Sequence, residues 1–207
     1  MDKMLLVSDV IDHDGLYRLA EAQAGYFSTR QAIAAGMDRS TLAHHARPGG
    51  RYERVRRGLY RLRHFPTSNH EHVMAAWLPL RGVDAVVSHE SALELHELSD
   101  VIPTSVHLSV PRTQRGQRAR SGVRLHTLER PPDPSEVQMV CGLPTTSPAR
   151  SVVDALQAGT QLEQVELAAR QALQRGMTTP RRLRAAAQGR SDRARRFVEQ
   201  ILSGEPT

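Results

Sequence analysis

The chain has 207 residues, 39% hydrophobic, 24% charged and 4% aromatic, with a formal net charge of +6. These proportions fit a soluble globular protein of one or two domains whose core rests on Leu, Val and Ala, and they exclude a disordered chain. No apolar run approaches the roughly 18 residues of a membrane span, the leading MDKMLLVSDVIDHD has no signal-peptide pattern, and Cys141 is the single cysteine, so a cytoplasmic protein with no membrane partner is expected.

In chain order, Asp14 is expected to cap a first helix running to about Gln23, with Leu16, Leu19 and Ala20 on its apolar face. Gly25 stops it. Ser28 or Thr29 caps a second helix over 30–35, Gly36 supplies a sharp turn, and Asp38 caps a third helix over 39–46. Pro48-Gly49-Gly50 ends that helix, and RYERV and GLYRL then flank Arg56-Arg57-Gly58 as a short β-hairpin. HFPTSNH, residues 64–70, is a loop-forming joint. Beyond it a helix over about 69–80 opens a second region. VDAVVSH predicts a buried strand, ESALELHEL a short helix, and SVHLSV and VRLHTL two alternating strands separated by the polar, basic RTQRGQRARSG. VQMVCGLPTT predicts one further strand. Ser147-Pro148 and Thr179-Pro180 are cap-plus-proline helix starts, and helices over about 148–158, 161–175, 179–188 and 191–202 close the chain. The expected fold class is α/β (α+β): a winged helix-turn-helix over residues 1–65 and a larger mixed α/β domain over 70–207.

A helix-turn-helix needs a small residue in its first helix, glycine at the turn and an aliphatic anchor in the second. Ala32, Gly36 and Leu42 stand in that register, and Ile33 and Met37 add apolar packing. The register leaves Asp38, Arg39, Ser40, Ala43, His44 and Arg47 on the outer face of the third helix, whose N-terminal end would enter a major groove. Arg39 suits guanine edges, Ser40 and Thr41 suit bases or phosphates, and Asp38 suits a cap. The competing reading is two packed helices with solvated arginines. The hairpin weighs against it, because Arg51, Arg54, Arg56, Arg57, Arg61 and Arg63 crowd a place where a wing would lie on phosphates. The expected DNA-contacting set is Ser28, Arg30, Arg39, Ser40, Thr41, His44, Arg47, Arg51, Arg54, Arg56 and Arg57. Charge distribution agrees. Lys3 is the only lysine beside 27 arginines; residues 25–65 hold nine Arg against Asp38 and Glu53, and residues 170–196 hold nine against Asp192. Two basic zones point to an anionic partner.

The stretch GYFSTRQAIAAGMDRSTLAHHARPGGRYERVRRGLYRL resembles the N-terminal winged helix of AbiEi-family antitoxins. VVSHESALELHEL, VHLSVPR, GVRLHTL, GLPTTSPARSVVDAL and LAARQALQRGMTT resemble, mainly by their order, the rest of that family. The resemblance implies the antitoxin of a bacterial two-gene system whose toxin is an AbiEii-type nucleotidyltransferase. It also implies a winged helix that represses the operon at inverted-repeat DNA, and a C-terminal region that carries the antitoxicity. Two alternatives stay open: neutralisation by phosphorylating the toxin, and a DNA-binding regulator without a toxin.

Other motifs carry less. His89 and His96 could share a helical face, and His70 and His72 lie close in sequence, but neither pair has the partners of a metal set, so no metal and no cofactor are expected. Ser88-His89 lacks a nucleophile elbow, and there is no phosphate-binding GxxxxGK[ST] loop or kinase signature. No catalytic residue is assigned, although Asp154 and Glu163 near Arg150 are the ones to examine for phosphoryl transfer. The Arg-rich tail 181–196 suits an acidic toxin surface or plain solvation equally, and DNA less.

Overall fold

Small polar residues write most of the helix starts in this chain. The computed structural model describes residues 11–114, 120–128 and 131–204. Its two units run Met1–Pro79 and Leu80–Thr207. No helix among the described residues is long and apolar enough to cross a membrane.

The first unit contains α1 (His13–Glu21), β1 (Tyr26–Ser28), α2 (Thr29–Ala34), α3 (Arg39–His45), β2 (Tyr52–Arg56), β3 (Leu59–Leu62) and α4 (Glu71–Trp77). Helix α1 starts at Asp12 rather than Asp14: the Asp12 carboxylate accepts the Gly15 N–H at 2.7 Å. Ser28 and Asp38 cap α2 and α3. Gly36, at φ 84°, makes the tight reversal between them, in the left-handed region that glycine enters without steric cost. The sheet order is β1-β3-β2, antiparallel throughout. Strand β1 is an addition to the sequence expectation; it pairs Tyr26, Phe27 and Ser28 with Arg61, Tyr60 and Leu59.

One core joins the elements from α1 to β3. Leu16, Ala20, Phe27, Ala32, Met37 and Leu42 are buried with Tyr52, Tyr60 and Leu62. Phe27 meets Tyr52 edge-on at 4.9 Å and stacks on Tyr60 at 5.7 Å. Ile33 does not take part as expected. It is 47% exposed, because Ala32 turns the inner side of this single short helix toward the core.

Arg61, only 9% exposed, stands in the middle strand. Its guanidinium donates to the Phe65 and Pro66 carbonyls at 2.9 and 3.1 Å and to Glu71 Oε2 at 3.0 Å. It therefore ties β3 to the chain leading into α4.

The second unit contains β4 (Val86–Val87), α5 (His89–Leu95), β5 (Val106–Pro111), β6 (Val123–Leu128), β7 (Val137–Val140) and β8 (Leu143–Thr146), then α6 (Pro148–Ala158), α7 (Leu162–Gln174), α8 (Pro180–Ala187) and α9 (Asp192–Ser203). Its sheet order is β6-β5-β4-β8-β7. Strands β5 and β6 run parallel, as do β4 and β8; β4–β5 and β7–β8 are antiparallel. The single strand expected over VQMVCGLPTT is a hairpin. Cys141 and Gly142 have φ of 49° and 76°, a tight two-residue turn that needs positive φ at both positions. Residues 115–119 of the basic connection between β5 and β6 lie outside the described residues.

Helix α6 is the hub of this unit, with every residue from Pro148 to Leu156 buried. Alanines at 149, 155, 168, 169, 172, 186, 187 and 194 line the helix contacts. Small side chains let backbones approach closely, which makes a tight core with few aromatics. Asp154, buried in α6, is held by Arg150 at 2.7 Å and Arg190 at 3.1 Å, and Arg150 also reaches Glu136 at 2.9 Å.

His96 ends α5. Its Nε2 lies 2.7 Å from the Thr146 carbonyl, and the Gln138 amide donates to Nδ1 at 3.4 Å. The network therefore assigns a neutral ring with its proton on Nε2.

Two outcomes follow from these contacts. Arg61→Ala leaves Glu71 and two carbonyls without their donor, so chemical unfolding should show the first unit weakened by about 2–4 kcal/mol. Burial pushes His96 below its ordinary value of 6.5, against the Thr146 carbonyl. A base depressed by folding contributes stability that is whole above its unfolded pKa and lost as the pH falls towards the folded one. Melting of the protein should thus fall below about pH 6.5, by up to about 1.4 kcal/mol per pH unit for this group. His96→Gln should flatten that fall; an unchanged pH profile would count against the assignment.

Candidate nucleic-acid interface

The positions expected to meet DNA are built by two helix caps and one hairpin. Ser28 Oγ accepts the Gln31 N–H at 3.2 Å, and Gln31 Oε1 accepts the Ser28 N–H at 2.7 Å. This reciprocal box sets where α2 begins. The Gln31 amide continues to Gln23 Oε1 at 2.8 Å, and buried Gln23 donates to the Tyr26 carbonyl at 2.8 Å. The entry to the helix pair is thereby fixed to β1. Ser28 is half-buried, with its oxygen used by the cap, while Arg30 projects from the first turn into solvent.

Asp38 begins α3. Its Oδ1 accepts the Thr41 N–H at 2.6 Å and the Ser40 hydroxyl at 2.8 Å. The Thr41 N–H, then the Ser40 hydroxyl, holds the Asp38 carboxyl below its ordinary value. Ser40 spends its one proton on Asp38, so donating to a phosphate requires it to rotate away. Leu42 is buried and its helix neighbours Arg39, Ser40, Ala43 and His44 are exposed, followed by exposed Arg47. Thr41 is half-buried at the edge of that face. His45 packs inward, its ring 5.7 Å from His13, 5.6 Å from His44 and 5.8 Å from Tyr52. Burial, then the nearby His13, lowers its pKa.

The hairpin separates its arginines into two kinds. Arg51, Arg54 and Arg57 are exposed, with Arg57 at the β2–β3 turn. Arg56 is half-buried and its guanidinium donates to the Ala75 carbonyl. Arg63 donates to the carbonyls of Gly50 at 2.6 Å and of Arg47 and Tyr52 at 3.1 Å, stapling the end of α3 to the start of β2. Arg61 is buried as described. Arg61 and Arg63, counted in the sequence among the wing's crowding cations, are therefore internal clamps: carbonyls at chain reversals need donors, and long guanidinium side chains reach them.

In the second unit, Asp154 is enclosed by its arginines while Glu163 is exposed in the first turn of α7. His89 and His96, weighed in the sequence as sharing a helical face and set aside as a metal set, do not pair, since His96 is engaged by Thr146. His89 instead meets His107 and His126, with one nitrogen from each ring within 4.8 Å of the others. Sequence reading missed this trio. The available signal was a histidine at an inward position in each of SVHLSV and VRLHTL, and only parallel pairing of those strands brings the two together.

A family model described as a transcriptional regulator, AbiEi antitoxin, matches residues 16–63. No curated protein matches the chain. Among solved structures, the crystal structure of the RV2827C protein from Mycobacterium tuberculosis is similar over 93% of this chain and 76% of its own, with a TM-score of 0.57 and 16% identity. At that identity the likeness concerns the fold. The matched segment runs from Leu16 of α1 to Arg63 just beyond β3, taking in both caps, the Gly36 turn and the hairpin; over this N-terminal module the chain is similar to the AbiEi antitoxin family of transcriptional regulators.

Proposed function

We propose that this protein is the antitoxin of a bacterial toxin–antitoxin pair that represses its own operon at inverted-repeat DNA and neutralises a nucleotidyltransferase toxin. The observation that carries the DNA half is the outward face of α3, where Arg39, Ser40, His44 and Arg47 are exposed while Leu42 anchors the helix in the core. In this reading Arg39 reads a guanine edge in the major groove. Arg30, Arg47, Arg51, Arg54 and Arg57 neutralise phosphates, and Ser28, Ser40, Thr41 and His44 add shorter contacts. Arg56 contributes charge near the wing while its guanidinium remains on the Ala75 carbonyl. Two copies on an inverted repeat would place their α3 helices about one helical turn apart.

The toxin half rests on the family of the N-terminal module and on the second unit's exposed arginines at 181, 182, 193 and 196 along α8 and α9. Such a surface complements an acidic partner. Mixing the purified protein with the product of the adjacent gene tests this half. A stable complex with no change in either mass supports neutralisation by binding. An ATP-dependent mass gain on the partner would instead make the protein a phosphotransferase, and no interaction at all would leave a DNA-binding regulator.

For the DNA half, the measurement is binding to the duplex upstream of the gene as salt is varied. Arg54→Ala with Arg57→Ala should weaken binding to every sequence and lower the salt slope by about 1–2, near 0.9 per phosphate contact. Arg39→Ala should cost about 1–3 kcal/mol on the preferred site and relax the choice at one base pair. Identical behaviour of the two variants would contradict the division between reading helix and wing.

A further inference from the structure

The alternating strands β5 and β6 suggest a polar face in solvent, yet the polar face of β5 is buried. Val106, Leu108 and Val110 point one way, and His107 and Ser109, 3% and 1% exposed, point the other. In the parallel register Ser109 stands opposite His126, so His126 shares the face of His107. The start of α5 delivers His89 to the same place. It does so with φ 55°, a left-handed backbone uncommon for residues other than glycine and of the kind that collects at functional sites.

The three rings converge without satisfying one another. His89 and His126 stack with centroids 3.5 Å apart, and His107 lies 5.1 Å from His126 and 5.7 Å from His89. Nδ1 of His107 and Nε2 of His126 are buried with no hydrogen-bond partner. Buried polar atoms are nearly always paired, so two orphans facing one cluster need a reason. Burial, the largest cause in each case, keeps all three rings below their ordinary pKa, His89 near 2 and His126 near 4.

We propose that His89, His107 and His126 bind one divalent transition-metal ion, with Zn2+ the ion they suit best. Three imidazoles are the ligand set of an open tetrahedral zinc site, in which a water or substrate atom fills the fourth position. Four-coordinate geometry with arms of about 2.0–2.1 Å separates nitrogens by about 3.3 Å. The nitrogens lie within 4.8 Å of one another, so binding requires side-chain rotation that unstacks His89 from His126 and turns their lone pairs toward one ion. A supporting contact of the kind that orients a metal-bound imidazole is present at His89. His89 Nδ1 lies 2.8 Å from Ser88 Oγ, which accepts from Ser109 Oγ at 2.8 Å, and the backbone N–H of His107 donates to Ser91 Oγ at 2.9 Å, which fixes the strand rather than the ring. The nearby charges are Glu90, which favours a cation beside His107, and Arg124 and Arg150, which oppose it; Arg124 is exposed and open to solvent screening, and buried Arg150 is paired with Asp154 and Glu136. This inference concerns the second unit alone and does not depend on the DNA or toxin readings.

The test uses the full-length, tag-free chain stripped with a chelator and titrated with Zn2+ alone, then Co2+ alone. One tightly held Zn2+ per chain is expected, together with the visible absorption of four-coordinate Co2+. His107→Gln and His126→Gln should each weaken Zn2+ binding by more than about tenfold. His126 is half-buried at the sheet edge, so its variant decides the matter if His107→Gln fails to fold. A variant with His44→Ala and His45→Ala, which removes the ring contacts among His13, His44 and His45 in the first unit, should keep its zinc. Absence of one-to-one binding, binding unchanged in His126→Gln, or loss of zinc in the His44 and His45 variant would each overturn the proposal.

Discussion

A helix of two turns can bury only one side, and that constraint governs the N-terminal module. Leu42 is the residue by which α3 enters the core, with Met37 beside it in the preceding turn. Once Leu42 is inside, Arg39, Ser40, Ala43 and His44 have nowhere to go but solvent. The Gly36 reversal and the caps at Ser28 and Asp38 serve that outcome, because each removes freedom from the helix pair before any partner arrives. A rigid short helix with a prescribed outer face is what a reader of base edges requires. A loop carrying the same arginines would have to be ordered on binding, at a cost in affinity.

Arginine has two jobs in this protein, and net charge alone does not separate them. Arg61 and Arg63 close chain reversals by donating to carbonyls, Arg56 donates to Ala75, and Arg150 and Arg190 enclose Asp154. Arg39, Arg47, Arg51, Arg54 and Arg57 remain at the surface. With Lys3 the only lysine, guanidinium supplies nearly all internal clamps as well as the external positive field. The basic zone over residues 25–65 is thus partly architecture, and the cations free to meet a polyanion are fewer than the sequence suggests.

Local chemistry was legible and long-range pairing was not. Ser28, Asp38, Ser147 and Thr179 cap helices as their side chains and followers predict, and Arg57-Gly58 turns the hairpin. Strand β1 escaped because Tyr26, Phe27 and Ser28 form a strand only by lying against Leu59, Tyr60 and Arg61. The β7–β8 turn escaped because Cys141, not a glycine or asparagine, takes its first positive φ. Ile33 misled because hydrophobicity was read without the tilt of so short a helix. The outer face of α3 could be predicted residue by residue from Leu42. The meeting of His89, His107 and His126 could not, since it needs the parallel pairing of β5 with β6, joined by a connection of no helical pattern.

The account stands most directly on whether α3 lies in the major groove. Methylation interference on the duplex upstream of the gene measures this, because the methyl group at guanine N7 projects into that groove. The account predicts that methylated guanines block binding in both arms of an inverted repeat, with the arms centred about 10–10.5 base pairs or a multiple apart. Binding that ignores guanine methylation throughout, while remaining salt-sensitive, would mean that the arginines bind phosphate alone and that the exposed face of α3 reads nothing.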